Sequence, residues 1–279
     1  MNFRYLYARL RQEKFPVRFL LSRVLWKTRC CGFLHIRRQG YLLHFSPSAV
    51  AALLWVERDF GTEEEAVLAS FLRAGDIFVD VGANIGYLSL AATVLVGDTG
   101  SVYAFEPHPR TCAFLQKNIE LNRCRQVKVF QTAVGSEVGQ VSLSSGHSDD
   151  QNQVHAVGGL LVPMTRLDRV LTGYELAEIG LLKIDVEGYE KFVLLGMGRL
   201  LERTRAILFE SSERHFAHFG YSTDDVVALL TSAGFMVGKM NGHGHLSPLP
   251  PGYRSNVCEN LVAVNRSLCS RWAGDPSVA

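Results

Sequence analysis

Two carboxylates one residue apart, Asp185 and Glu187 in LLKIDVEGYE (181–190), follow an apolar run and precede a glycine. Such a pair at a strand end has the chemistry to position an acceptor hydroxyl, to bind a metal or to act as general base. A second reactive stretch is ILFESSERHFAHF (207–219), where Glu210 is followed by His215 and His218. Either histidine has the pKa range to deprotonate a hydroxyl near neutral pH, although solvated loop histidines are the plainer reading. His147, His155, His243 and His245 also fall in loops, and no convincing metal-ligand set emerges from them. The six cysteines lack any CxxC spacing and read as free thiols of a reducing compartment, so no metal is expected.

The stretch DIFVDVGANIGYLSL (76–90) is an apolar run, a glycine-containing turn and a second apolar run. Gly82 and Gly86 permit close backbone approach to a bound molecule. Asp80 closes the strand, Ala83 lies in the turn, and Asn84 is placed to cap the helix that follows. The spacing is neither the G-x-G-x-x-G of a dinucleotide loop nor a phosphate loop ending in G-K-[ST]. Glu106, 24 residues after Gly82 and followed by Pro107, ends the next apolar run. An acidic residue there takes both ribose hydroxyls of a nucleoside. A nucleoside without a phosphate loop points to S-adenosylmethionine, with S-adenosylhomocysteine as product. Thr132, Ala133 and Val134 would then flank the adenine. Lys183, inside the apolar run, reads either as a snorkelling residue or as an active-site cation.

These residues need a frame that gathers them on one rim. Apolar strands are predicted at 77–81, 101–106, 127–134, 180–186 and 205–211, with helices at 84–96, 109–122, 189–202 and 223–233. Strands of this kind, each followed by a helix, predict a parallel sheet buried on both faces, with ligands beyond its carboxyl ends. Segments 235–240 and 259–264 close it as a hairpin with an antiparallel last strand. Short strands at 140–145 and 158–165 flank a polar loop, and 242–252 reads as a Gly/Pro-rich loop. Ahead of this frame come a hairpin around Gly40 and helices at 47–60 and 62–72.

At 47% hydrophobic and 20% charged residues, the 279-residue chain has a globular composition. Its first 40 residues carry ten Lys/Arg against Glu13, while the remaining 239 carry 19 basic and 26 acidic residues. The acidic body argues against a nucleic-acid surface. The basic start, with its leucines and aromatics, reads as a capping helix pair broken near Pro16 or as an arm in weak contact with an anionic membrane surface. No apolar run approaches the ~20 residues of a membrane span. A cytoplasmic protein is expected, with possible contact at the inner face of the membrane. The expected organisation is a helical and hairpin extension over 1–60, a catalytic domain over 61–268 and a tail over 269–279.

Taken together, FVDVGANIGYLSL, VYAFEPHPRTCAFLQKNIELN, AVGSEVGQVSL, TRLDRVL, LLKIDVEGYEKFVLLGM, ILFESSE and ENLVAV resemble the FkbM family of S-adenosylmethionine-dependent methyltransferases, in family order over residues 73–265. The resemblance implies an α/β, class I Rossmann-like methyltransferase with a mostly parallel seven-stranded sheet, an antiparallel last strand and helices on both faces. It implies O-methylation of a hydroxyl on a saccharide or natural-product-like small molecule. Carried onto this chain, Asp80, Gly82, Asn84 and Gly86 contact the methionine part of the donor, Glu106 holds the ribose, and Asp185 and Glu187 face the methyl group and acceptor. Strand five departs from the family pattern, ending FESSERH where many relatives resemble EIHP. Two other readings stay open: a non-catalytic nucleoside-binding module and an RNA methyltransferase.

Overall fold

The computed structural model describes residues 14–28, 30–143, 154–155, 159–174, 178–241 and 245–269. The first thirteen residues, most of the polar loop after 143, His147, His243 and the tail beyond 269 lie outside the described residues.

A central sheet carries the site. Its strands are β3 (Ile77–Val81), β4 (Ser101–Phe105), β5 (Val127–Phe130), β10 (Ile179–Ile184), β11 (Thr204–Ser211), β12 (Phe235–Met240), β13 (Leu246–Pro248) and β14 (Glu259–Asn265). They lie in the order β13-β12-β14-β11-β10-β3-β4-β5. The pairs β5–β4, β4–β3, β3–β10 and β10–β11 are parallel, whereas β14 runs antiparallel between β11 and β12. The expected α/β architecture is present, with one strand more than the seven expected. The eighth is β13, inside the Gly/Pro-rich segment read as loop; it pairs antiparallel with β12 from Met240↔Leu246 to Gly238↔Pro248. Leu246 is fully buried there, and Pro248, which lacks an N–H, sits on the sheet's outer edge where none is needed.

Every residue of β10, IGLLKI, is buried, because helices cover both faces of the sheet. Phe78, Leu181, Leu208 and Val262 pack into one core, and Val79, Leu182, Phe209 and Leu261 into the other, following the two-residue alternation of strands. Each fully buried side chain of this size contributes about 1.5–3 kcal/mol of transfer free energy.

The first core also takes in the N-terminal elements. These are α1 (Pro16–Lys27), the hairpin β1 (His35–Arg37) and β2 (Leu42–His44), α2 (Ala49–Val56) and α3 (Thr62–Phe71). Leu43 and Phe45 are fully buried in it. Two asparagines of the long helix α5 (Pro109–Asn122), which follows α4 (Tyr87–Val96) and β4, fasten the hairpin. Asn118 Oδ1 accepts the His44 N–H and Asn122 Oδ1 the Leu42 N–H, both at 2.8 Å.

The run 127–134, read as one strand, divides in two. A turn closed by the Thr132 N–H on the Phe130 carbonyl sends Ala133–Val134 (β6) into a second sheet with β7 (Gly139–Leu143), β8 (Val154–His155) and β9 (Leu160–Thr165). After α6 (Leu167–Leu171) and β10, the helix predicted over 189–202 is also interrupted. Its α-helical part is α7 (Glu190–Leu195), ending where Gly196 packs on the Gly135 carbonyl. A Cβ there would stand 2.0 Å from that oxygen. Finally, the segment read as a loop with solvated histidines holds a short helix, α8 (Glu213–His218), ahead of α9 (Thr223–Ser232).

Candidate active site

The carboxyl ends of β3, β4, β10 and β11 open into one cleft. It is lined by Asp80, Gly82, Ala83, Asn84, Glu106, Pro107, Thr132, Ala133, Val134, Asp185 and Glu187. Gly86 and His215 are the two sequence-predicted residues that do not line it, and each is tied to it through a neighbour.

The glycine loop is shaped by the protein around it. Gly82 has φ +78, and a Cβ would lie 1.9 Å from the Asp185 carbonyl oxygen; Gly86 has φ +86, and a Cβ would lie 2.2 Å from Leu115 of α5. Both glycines therefore answer packing between segments, and the space beside them is occupied by backbone and by Leu115. Asn84 is not the helix cap that the sequence suggested: α4 begins at Tyr87 with Gly86 at its N-cap. Asn84 itself is left-handed at φ +50, a conformation asparagine tolerates better than most residues. Its side-chain oxygen accepts the Ile85 N–H, and its own N–H donates to Glu106 Oε2 at 2.9 Å.

Glu106 thus joins two loops. Its other oxygen, Oε1, accepts the His108 N–H at 2.9 Å. Burial pushes this carboxyl up to about 7, against the pull of the His108 and Asn84 N–H groups. Each oxygen retains a further lone pair for a donor in the cleft.

Lys183 resolves into a clasp. The sheet register sets it directly opposite Asp80. Its Nζ donates to the Gly82 carbonyl at 2.7 Å and lies 3.4 Å from both Asp80 Oδ1 and Asp185 Oδ2. Burial lowers the lysine's proton affinity, but Asp185 and Asp80 outweigh it and leave the group above its ordinary value. Asp80 also accepts the Ser89 hydroxyl at 2.5 Å. One cation therefore binds the glycine loop to the strand end that carries Asp185.

The reactive rim follows. Asp185 is the exposed member, with 45% of its side chain open to solvent. Glu187 and Gly188 turn the chain through left-handed conformations at φ +55 and +101. Gly188 lies so close to α8 that a Cβ would meet the His215 carbonyl at 2.8 Å. That approach brings His215 Nδ1 to 3.4 Å from Glu187 Oε2 and 3.5 Å from Glu210 Oε2. Burial first, then the charge of Asp185, raises Glu210 to about 7. Beneath the turn, fully buried Glu190 accepts the N–H groups of Val186 and Gly188, and burial followed by the Glu210 charge raises it to about 8.

Sequence reasoning missed one wall of the cleft. Val50 and Leu53 of α2, Phe60, and Tyr87 and Leu88 of α4 face the glycine loop, and Tyr189 closes the side nearest the second sheet. Apolar residues on a helix read as core, so nothing in their types or spacing marked them as ligand-facing.

The family model described as Methyltransferase FkbM domain matches residues 80–237. The hexuronic acid methyltransferase AglP of Haloferax volcanii is 26% identical over 198 residues, which cover 70% of this chain and 78% of that protein. The 31-O-demethyl-FK506 methyltransferase FkbM of Streptomyces tacrolimicus is 33% identical over 201 residues, or 60% of this chain and 75% of that one. Among solved structures, a methyltransferase FkbM from Methylobacillus flagellatus aligns at 14% identity with a TM-score of 0.43, covering 77% of this chain and 54% of its own.

Proposed function

The chain belongs to the FkbM methyltransferase family, and we propose that it methylates a hydroxyl group of a saccharide or natural-product-like small molecule. The methyl donor is S-adenosylmethionine. The observation that carries the acceptor reading is the position of Asp185. It is an exposed carboxylate on the same rim as the glycine loop, held by the lysine that holds that loop. Of the two relatives, one is a 31-O-demethyl-FK506 methyltransferase, which supports an oxygen acceptor, and the other a hexuronic acid methyltransferase, which supports a saccharide.

In this reading Glu106 takes the ribose hydroxyls, and Thr132, Ala133 and Val134 flank the adenine. Asp80 and the loop of Gly82, Ala83 and Asn84 run beside the methionine part, with Gly86 fixing the loop to α5 and Pro107 bounding the ribose side. The acceptor enters over Asp185. Its oxygen attacks the sulfonium methyl carbon as the S–CH3 bond breaks toward sulfur, and neutral S-adenosylhomocysteine leaves. The hydroxyl proton passes to Asp185, with Glu187 and His215 behind it as alternative acceptors. Alignment of the two reactants is worth about 7–11 kcal/mol, and proton removal adds about 10²–10⁴-fold.

The test is methyl transfer from isotopically labelled donor to a panel of glycans, small-molecule alcohols and RNA, read by mass spectrometry. Label on a sugar or alcohol oxygen is the expected result. Label on RNA alone, or donor binding with no transfer to any acceptor, refutes the reading in favour of an RNA methyltransferase or a binding module respectively.

No helix among the described residues is long and apolar enough to cross a membrane. We further propose that α1 touches an anionic membrane surface. Val17, Leu20, Leu21 and Val24 form an exposed stripe at helical spacing, beside Arg18, Arg23 and Lys27. Sedimentation with vesicles containing phosphatidylserine tests it; equal recovery with neutral vesicles, or none, refutes it.

A further inference from the structure

Behind Asp185, four segments far apart in the chain bring nitrogen, oxygen and sulfur donors together. Glu187 comes from the turn after β10, Glu210 from the end of β11, His215 from α8 and Cys258 from the residue before β14. His215 Nδ1 stands 3.4 Å from Glu187 Oε2 and 3.5 Å from Glu210 Oε2, and Cys258 Sγ stands 2.8 Å from Glu210 Oε1. In each of two overlapping sets, Glu210–His215–Cys258 and Asp185–Glu187–Glu210, the donor atoms all lie within 4.8 Å of one another.

Two of these atoms, Glu210 Oε2 and His215 Nδ1, are withdrawn from solvent without a hydrogen bond. Buried polar atoms of this kind cost stability unless something satisfies them. Lys183 Nζ makes its contacts with Asp80, Asp185 and the Gly82 carbonyl, on the glycine-loop side of the rim. Donors at tetrahedral corners around a zinc-sized ion stand about 3.3–3.7 Å apart, and His215 Nδ1 stands 3.5 Å from Glu210 Oε2. An imidazole nitrogen, carboxylate oxygens and a thiol suit a borderline transition metal, whereas magnesium and calcium take oxygen donors.

We propose that Glu210, His215 and Cys258 hold a divalent transition-metal ion of the zinc class at the acceptor end of the cleft, with Glu187 and Asp185 beside its open fourth position. The Cys258 thiol gives up its proton on binding, so affinity increases with pH. The open position takes the acceptor oxygen, fixes it toward the methyl group and lowers its proton affinity; His215 is then committed to the ion, and Asp185 receives the proton. That catalytic role rests on the methyltransferase reading; the binding of the ion does not.

The experiment titrates the chelator-stripped full-length chain with Co2+, read by visible absorption and by the thiolate-to-cobalt band in the near ultraviolet. The same samples are titrated calorimetrically with S-adenosylhomocysteine. About one equivalent should bind, with the thiolate band absent in Cys258→Ser and affinity lowered at least ~100-fold in His215→Ala. Both variants should bind S-adenosylhomocysteine like the parent chain, which shows that they are folded. No cobalt binding by a chain that binds S-adenosylhomocysteine overturns the metal site alone. Cobalt binding unchanged in both variants overturns it equally, because the ion then sits elsewhere. Failure to bind S-adenosylhomocysteine in the parent chain counts against the donor pocket and leaves the cobalt result standing.

Discussion

Replacing Lys183 by methionine keeps the length of the side chain and removes its charge, so it isolates what the clasp contributes. Asp80 is fully buried, and without Lys183 its remaining partner is the Ser89 hydroxyl on Oδ2, because Oδ1 has no hydrogen bond. Asp185 is 45% exposed, and water takes over most of its share. The cost therefore falls on Asp80 and on the Gly82 carbonyl, which loses its 2.7 Å donor. Removing one partner of a buried ion pair destabilises by about 3–5 kcal/mol, a large part of the ~5–15 kcal/mol that keeps a domain folded. Urea denaturation at pH 7 should show the midpoint falling by about 1–2 M. Adding Asp80→Asn should restore roughly 2 kcal/mol or more, because the stranded charge is then gone. A single variant within about 1 kcal/mol of the parent, or a double variant less stable than the single, refutes the clasp.

Other expectations follow from the same geometry. Gly82→Ala places a Cβ against the Asp185 carbonyl at a positive φ, and thermal melts should report a loss of roughly 2–5 kcal/mol. Glu106→Ala orphans the Asn84 and His108 N–H groups and removes the ribose acceptor, so calorimetry should show S-adenosylhomocysteine binding weakened by more than about tenfold. Asp185→Asn should lower kcat by ~100-fold or more with S-adenosylhomocysteine affinity near that of the parent; full turnover would remove Asp185 from the reaction. Glu190 has a folded pKa raised to about 8, so its stabilising contribution is complete below the ordinary carboxylate range and is lost as pH rises toward 8. Glu190→Gln should flatten melting temperature against pH over that window, and an unchanged slope would place the carboxyl's titration elsewhere.

Much of this architecture is legible in the order of residues. DVGANIG, Glu106 and KIDVEGYE each lie where an apolar strand gives way to a turn, and the rule that ligands sit beyond parallel strand ends brings them to one rim. What sequence does not reveal is why a residue type is needed when its neighbour lies far along the chain. Gly82 reads as clearance for a ligand, yet the group against it is the Asp185 carbonyl, about a hundred residues on. Lys183 reads ambiguously for the same reason, since its partners lie on another strand and in another loop. Cys258 looks like an isolated thiol until β14 carries it to Glu210. The wall from Val50, Leu53 and Phe60 precedes every motif, and its apolar character serves core and cleft alike.

The position of β14 also sets an order of events. Both of its neighbours, β11 and β12, precede it in the chain, so each emerges from synthesis with one edge unpaired. An open apolar edge is a template for pairing with other chains. The eight-residue β11, carrying Glu210 at its end, must therefore wait for residues 259–265 before its ladder closes. Nascent chains stalled before residue 259 should depend on chaperones, and the reactive rim is among the last parts of the molecule to mature.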